Sequence, residues 1–243
     1  MLEVKDVYKR FGGLEALKGV SFCVNKGELI GLIGPNGAGK TTLFNVISGL
    51  LKPEKGIIKF KGIDIVGLRP YEIARLGIGR TFQLSRPLMD MTLLDNVAVA
   101  CIYGGRKRVG LKEARSIALE KLRLVGLADK AHLTPKSLTL LERKILEISR
   151  ALALDPELLL LDEPLSGLSP REIDMHVSLI KKIREDLGVT VIWIEHVMRA
   201  IMGAVDRVIV LHQGAKIAEG SPREVAKDSN VIKAYLGEEY AKG

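Results

Sequence analysis

Residues 29–42 read Leu29-Ile30-Gly31-Leu32-Ile33-Gly34-Pro35-Asn36-Gly37-Ala38-Gly39-Lys40-Thr41-Thr42, and they contain the most informative pattern in the chain. Residues 34–41 match the phosphate-binding loop pattern G-x-x-x-x-G-K-[ST] in full. The apolar run at 29–33 predicts a buried strand, and residues 41–48 predict the first turns of a helix. Glycines let backbone N–H groups approach phosphate oxygens, and a helix N-terminus adds donors and a partial positive charge. We therefore expect a nucleoside triphosphate here, with Lys40 on its β- and γ-phosphates and the Thr41 hydroxyl on Mg²⁺. The candidate nucleotide-binding residues of the loop are Gly34, Pro35, Asn36, Gly37, Ala38, Gly39, Lys40, Thr41 and Thr42.

The size and charge of the chain narrow its class. Its 243 residues, 47% of them hydrophobic, fit one large α/β domain or a core with a smaller lobe. With 37 basic and 29 acidic residues the net charge is +8. This excess suggests an anionic partner, or simply the cations that a nucleotide site and solvated faces need. The densest basic cluster, at 106–108, has no aromatic residues alternating with it, so we expect no nucleic-acid partner.

The sequence contains no pattern typical of export or of a membrane span. No apolar run approaches the ~20 residues that cross a bilayer, and the mixed-charge N-terminus has no long apolar core. Cys23 and Cys101 form no C-x-x-C pattern, and they are most simply reduced core thiols, as in the cytosol. A chain of this kind that works at a membrane must dock onto a protein that spans it.

Strand and helix patterns alternate along the chain. Strands are predicted at 2–7, 19–24, 29–33, 158–161, 189–194, 208–211 and 216–219, a hairpin at 57–66, and helices at 70–76 and within 93–154. Ser221-Pro222-Arg223-Glu224 opens the tail, residues 221–243, with a capping box. The alternation around a phosphate loop predicts a doubly wound α/β core with a β-rich flank. We expect one domain over 1–238, with a helical subdomain inserted at about 90–150.

A second acidic motif complements the loop. Leu158-Leu159-Leu160-Leu161 is followed by Asp162 and Glu163, which is the Walker B pattern of an apolar strand ending in an acidic residue. Asp162 is placed to hold Mg²⁺, usually through water. Glu163, one residue later, is placed to polarise an attacking water as a general base. A surface Asp-Glu pair that merely ends a strand is the alternative.

From residue 4 to residue 238 the chain resembles the ATP-binding subunit of an ATP-binding cassette (ABC) transporter. The resemblance implies that Phe11, with Ala16 behind it, stacks on adenine; Tyr8 is a competing candidate. It implies that Gln83, in Arg80-Thr81-Phe82-Gln83, touches Mg²⁺ and senses the membrane partner. His196, which follows a predicted strand, corresponds to the switch histidine that contacts the γ-phosphate. The implied chemistry is Mg²⁺-dependent ATP hydrolysis by two cassettes that close on ATP.

Two elements depart from the family pattern. The signature Leu-Ser-Gly-Gly-Gln is here Leu138-Thr139-Leu140-Leu141-Glu142. The resemblance implies that Thr139 keeps a hydroxyl for the γ-phosphate held by another cassette. The alternative is that Thr139-x-x-Glu142 is only a capping box, whose residues do no more than start a helix. The D-loop Ser-Ala-Leu-Asp is here 166–169, with Ser169 in place of the aspartate and a second capping pattern to Glu172.

Four stretches resemble the branched-chain amino-acid importer ATPases: 10–13, 80–83, 167–170 and the closing 231–238. The closing stretch also resembles the ATPase that drives lipopolysaccharide export. A soluble repair or translation ATPase is the alternative from another class, disfavoured because there is one phosphate loop and no sustained heptad between Gln83 and Leu138. We expect permease partners, a second ATPase subunit in a homodimer or a paralogue heterodimer, and a cytoplasmic position on the inner face of the membrane.

Overall fold

The computed structural model describes residues 1–83 and 86–240, with the backbone alone from 236 to 240. The strands are β1 (Leu2–Phe11), β2 (Leu14–Val24), β3 (Leu29–Ile33), β4 (Lys55–Phe60), β5 (Ile63–Asp64), β6 (Ile78–Arg80), β7 (Leu158–Asp162), β8 (Thr190–Ile194), β9 (Arg207–His212) and β10 (Ala215–Gly220). The helices are α1 (Lys40–Ile47), α2 (Pro70–Leu76), α3 (Leu93–Gly104), α4 (Leu111–Leu124), α5 (Leu140–Leu152), α6 (Pro170–Leu187), α7 (Met198–Met202), α8 (Pro222–Val225) and α9 (Ser229–Tyr240). Short 3-10 turns lie at Ala128–Lys130 and Pro135–Ser137.

The chain divides into two compact units. The first contains Met1–Pro70 and the chain from Thr190 onward, and the second contains Tyr71–Val189. The helical subdomain predicted at about 90–150 stays a prediction; α3, α4 and α5 lie in that stretch, and the second unit is wider. The predicted tail is described as far as residue 240, and its last three residues lie outside the description.

The first unit is built on β-sheet. An antiparallel sheet has the strand order β2-β1-β4-β5. In a second sheet β3 lies between β8 and β9 and runs parallel to both, while β10 pairs antiparallel with β9. Both β3 and β8 are buried along their whole length, as expected of parallel strands covered on two faces. This pairing fixes the edge of the sheet from which the phosphate loop leaves.

The second unit combines a parallel strand pair with helices. β6 pairs with β7 in parallel, with Ile78 opposite Leu158 and Arg80 opposite Leu160. α3 packs against α4 and α5. Every residue of β7 is buried, so its four leucines form core and its last residue, Asp162, is carried into the interior. The sequence patterns did not predict β6.

The predicted alternation of strands and helices is confirmed, including the hairpin at 57–66 and the helix at 70–76. One prediction is wrong: Cys101 is buried, but Cys23 is exposed, because alternate residues of β2 face outward and Cys23 lies on that face. In the described part of the chain, the helices lack the length and apolar character that crossing a bilayer requires.

Candidate functional site

The loop between β3 and α1 folds around the side chain of Lys40. This side chain is buried, and its Nζ donates hydrogen bonds to the carbonyl oxygens of Gly34 at 2.6 Å and Pro35 at 2.9 Å. The ammonium group therefore lies inside the loop, beside the first turn of α1, where helix N–H groups have no intrahelical acceptors. A fixed cation and a helix N-terminus in one place form a site suited to a polyphosphate.

The β1–β2 hairpin packs directly on this loop. Gly39 precedes α1 with φ +101°, and a Cβ at this position would lie 2.5 Å from the carbonyl oxygen of Ala16. The β9–β10 turn joins the two segments: the N–H of Gly214 donates to the carbonyl of Ala38 at 3.1 Å, and its carbonyl accepts from the N–H of Lys18 at 2.8 Å. Loop, hairpin and turn thus form one connected backbone assembly.

The two aromatic candidates for adenine stacking differ in their surroundings. Phe11 lies at the end of β1, 47% exposed, with the Lys9 ammonium 5.5 Å from its ring centroid. The Tyr8 ring packs over Gly19, where a Cβ would lie 2.7 Å from the Tyr8 hydroxyl oxygen. The hydroxyl end of the Tyr8 ring thus lies against its own hairpin and Tyr8 is 38% exposed, so Phe11 is the more exposed of the two residues.

His196 follows β8 at the edge of the sheet where the phosphate loop follows β3. Leu32 and Ile194 are paired, so the two strands end within a residue of each other. Glu195 is buried, and its carboxylate accepts from the backbone N–H groups of His196 at 2.9 Å and Val197 at 3.3 Å. These bonds fix the backbone of the turn that carries the exposed His196 imidazole.

Asp162 ends β7 in a buried ion pair. Its Oδ2 lies 2.9 Å from Nη2 of Arg80, the last residue of β6, and the side chains are 1% and 7% exposed. The backbone N–H of Asp162 donates to the Thr81 hydroxyl at 3.2 Å. Burial lowers the pKa of Arg80, and the neighbouring Asp162 carboxylate opposes that change. Sequence reasoning assigned no role to Arg80, since its partner lies 82 positions away.

Glu163 and Gln83 are in contact. Nε2 of Gln83 donates to Oε2 of Glu163 at 2.9 Å. Glu163 has φ +49°, an uncommon conformation for a residue with a side chain, and its carbonyl oxygen lies 3.4 Å from Nζ of Lys144 on α5. A cavity of about 320 Å³ adjoins these groups, lined among others by Gln83, Asp162 and Leu140. Strained backbone at an acidic residue beside a cavity is typical of a reactive site.

The divergent signature begins α5 as a capping box. The Thr139 hydroxyl accepts from the N–H of Glu142 at 3.3 Å, and the Glu142 carboxylate accepts from the N–H of Thr139 at 3.0 Å. An ion pair with Lys130 lowers the pKa of Glu142. Leu140, 49% exposed, lies against Gly167 of the D-loop. Ser169 precedes α6, and both its N–H and its hydroxyl donate to the Glu172 carboxylate.

Comparison with known proteins gives extensive matches. A model of the ABC transporter family matches residues 17–166, and a model described as branched-chain amino acid ATP-binding cassette transporter matches 215–241. The high-affinity branched-chain amino acid transport ATP-binding protein BraF of Pseudomonas aeruginosa is 40% identical, over 98% of either chain. LivG of Escherichia coli strain K12, described in the same words, is 38% identical with the same coverage.

Solved structures agree. An ATP-binding cassette of an ABC transporter in its ADP conformation has a TM-score of 0.90 and 33% identity, over 98% of both chains. A dimeric ATP-binding cassette in a post-hydrolysis state, bound to ADP and Pi, has a TM-score of 0.81 and 30% identity, over 92% of this chain and 99% of that one.

Proposed function

This chain belongs to the ABC transporter family of ATP-binding subunits, and from that membership we propose that it binds and hydrolyses ATP to drive import of branched-chain or related amino acids through a separate permease. The relatives described as branched-chain amino acid transport proteins span nearly the whole chain, which disfavours the lipopolysaccharide-export alternative. Within the molecule, the observation that most supports ATP binding is the buried Lys40 ammonium group inside the glycine loop at the start of α1.

In the first unit the proposed work is nucleotide binding. Lys40 exchanges its bonds to the loop carbonyls for bonds to β- and γ-phosphate oxygens, which charge-assisted hydrogen bonding favours. The N–H groups at the start of α1 complete the phosphate contacts. Phe11 stacks on adenine, because its ring is the more exposed of the two candidates. His196, on its fixed turn, contacts the γ-phosphate.

In the second unit the proposed work is the activation of water. Glu163 is the general base that orients and deprotonates the water attacking the γ-phosphorus, while the bond to the leaving ADP oxygen breaks. Gln83, already hydrogen-bonded to the Glu163 carboxylate, keeps the base oriented. In the family the signature of another cassette completes the site, so Thr139 is proposed to serve the nucleotide of the partner.

The residues proposed to hold Mg²⁺ fit its chemistry. Thr41 contributes a hydroxyl, Asp162 a carboxylate and Gln83 an amide oxygen, all hard oxygen donors of the kind that Mg²⁺ prefers. These residues do not form a metal site by themselves: among the described residues, no cluster of three or more His, Cys, Asp or Glu side chains could hold a metal ion. Mg²⁺ sites of nucleotide enzymes usually combine one or two carboxylates with substrate phosphates. When bound, Mg²⁺ neutralises charge on the phosphate oxygens.

The proposed assembly is peripheral to a membrane, on its cytoplasmic face, with permease subunits that carry substrate specificity. The second ATPase is this chain again or a paralogue. The divergent signature 138–142 favours a paralogue, because this chain's phosphate loop would then meet an intact signature.

The decisive experiment measures ATP binding and turnover in the purified transporter complex. Glu163→Gln is expected to keep ATP affinity and to lose at least about 100-fold in turnover, because the general base is removed. Lys40→Ala is the matched loss-of-binding variant. Turnover near wild type in Glu163→Gln contradicts the role of Glu163, and unchanged ATP affinity in Lys40→Ala contradicts the phosphate site. The subunit composition of the same complex distinguishes a homodimer from a heterodimer.

A further inference from the structure

The Arg80–Asp162 ion pair is held rigidly by the backbone around it. Arg80 ends β6 opposite Leu160 of β7, and Asp162 ends β7 two residues later. The N–H of Thr81 donates to the carbonyl of Leu160 at 2.9 Å, and the Thr81 hydroxyl accepts from the N–H of Asp162 at 3.2 Å. Both charged side chains are almost fully buried, so neither can leave the pair by rotating into solvent.

A buried carboxylate needs a positive partner, and here a guanidinium already supplies one. The same carboxylate is the one proposed to help hold Mg²⁺. A fixed positive charge close to the carboxylate repels a second cation strongly, because charges in a partly buried site are poorly screened. Arg80 and a divalent cation therefore act against each other at Asp162.

We infer that Arg80 is a positioning residue that holds the Asp162 carboxylate and weakens its hold on a free divalent cation. The consequence is that the metal binds tightly only together with the phosphates of ATP. This inference rests on the proposed function, since it concerns the metal of the same site.

Removing the charge of Arg80 is expected to raise the affinity of the site for a free divalent cation. Without the guanidinium, the buried Asp162 carboxylate loses the positive charge that Arg80 supplies, and a divalent cation can supply positive charge in its place. Metal binding then stabilises the variant more than it stabilises the wild type. We expect Arg80→Met and Arg80→Gln to bind Mn²⁺ alone at least about tenfold more tightly than the wild type, whereas Arg80→Lys, which keeps the charge, stays within about threefold.

The test measures the affinity of the full chain for Mn²⁺ without nucleotide, and electron paramagnetic resonance detects the bound and free metal. Arg207→Met is the control, because Arg207 is also an arginine paired with carboxylates, those of Glu28 at 2.8 Å and of Glu219, and it belongs to the first unit, whereas Asp162 belongs to the second. The glutamine side chain is close in length to that of methionine and retains a hydrogen-bond donor. Arg80→Gln therefore answers the question if Arg80→Met fails to fold.

A parallel titration follows trinitrophenyl-ATP fluorescence in EDTA and in excess Mg²⁺. Tighter Mn²⁺ binding in the uncharged variants, with wild-type behaviour in Arg207→Met, supports the inference. Equal or weaker Mn²⁺ binding in Arg80→Met and Arg80→Gln overturns it. If the wild type binds the nucleotide analogue and these variants show no change in Mn²⁺ binding, only the role of Arg80 fails. If the wild type does not bind the analogue, the proposed function itself fails.

Discussion

Replacing Gly214 by alanine tests whether the β9–β10 turn supports the phosphate loop, provided that the backbone strain of alanine in such a turn is measured separately. Gly214 is the second residue of the two-residue β9–β10 turn, with φ +85° after Gln213 at φ +47°. The β4–β5 turn has the same construction, with Gly62 at φ +81° after Lys61 at φ +53°. Two positive φ values in a two-residue hairpin turn are typical of type I′. Gly62→Ala is therefore a control matched in turn type and backbone conformation.

The difference between the two variants can be estimated from their surroundings. A Cβ at Gly62 meets nothing within 4 Å. The free energy of unfolding of Gly62→Ala should therefore fall only by the cost of a left-handed non-glycine residue, about 1–2 kcal/mol. A Cβ at Gly214 would lie 2.9 Å from the carbonyl oxygen of Ala16. Relief requires the turn to move away, which weakens its hydrogen bonds to Ala38 and Lys18. At about 1 kcal/mol for each bond, Gly214→Ala should lose a further ~1–2 kcal/mol.

Two measurements check this difference. Urea unfolding gives the free energy of unfolding of each variant, and titration with a fluorescent ATP analogue gives the dissociation constant. Ala38 belongs to the loop, so nucleotide binding must restore the loop geometry that the displaced turn no longer supports. If it restores all ~1–2 kcal/mol of that support, nucleotide binding in Gly214→Ala is about 5- to 30-fold weaker. Gly62→Ala should bind the analogue like the wild type.

Equal losses of stability in the two variants would refute the argument from the Ala16 contact. Wild-type nucleotide affinity in a folded Gly214→Ala protein would refute the stronger conclusion that the β9–β10 turn supports the phosphate loop.

Two further predictions concern the second unit. His176 on α6 is fully buried, its ring nitrogens accept or donate no hydrogen bond within the described residues, and burial, reinforced by Lys144, lowers its pKa to about 4 from 6.5. Since the unfolded chain takes up this proton first, stability should fall by about 3 kcal/mol as the pH drops from about 6.5 to about 4. His176→Leu should flatten that part of the pH profile in urea unfolding, and an unchanged slope would contradict the assignment. Thr139→Ala should lower the free energy of unfolding by about 1 kcal/mol through loss of the helix cap, whereas Thr139→Ser should preserve it; equal stabilities of the two variants would exclude the capping role.

Local sequence patterns predicted the strands and helices whose own residues show an apolar run or a helix-starting proline. The run 29–33, the four leucines of β7 and the proline-started helices α2 and α8 are visible without tertiary information. β6 is different, because Ile78-Gly79-Arg80 is too short to show a period. Its strand conformation depends on pairing with β7, about 80 residues away in sequence. A three-residue strand of this kind can be predicted only once its partner is known.

The candidate site shows the same division. Spacing within a motif identified Lys40, Asp162 and Glu163 as candidates, because the residue types and their order reflect phosphate and water chemistry. Spacing could not predict that Arg80 pairs with Asp162 or that Gln83 meets Glu163, since these contacts join β6 and the segment after it to the end of β7. What the sequence predicts is which groups are present; their partners depend on how strands pair.

The two departures from the family pattern are coupled in space. Leu140 stands where the family signature has glycine, and Gly167 stands where the D-loop has alanine. A Cβ at Gly167 would lie 3.1 Å from Cδ2 of Leu140, and Gly167 has φ +80°, which disfavours alanine independently. Leu140 therefore occupies space next to Gly167 that a Cβ there would restrict, while the backbone conformation at 167 favours glycine whatever residue stands at 140. A variant that restores glycine at 140 removes this contact, so its free energy of unfolding must be measured together with its activity before the divergent signature is judged.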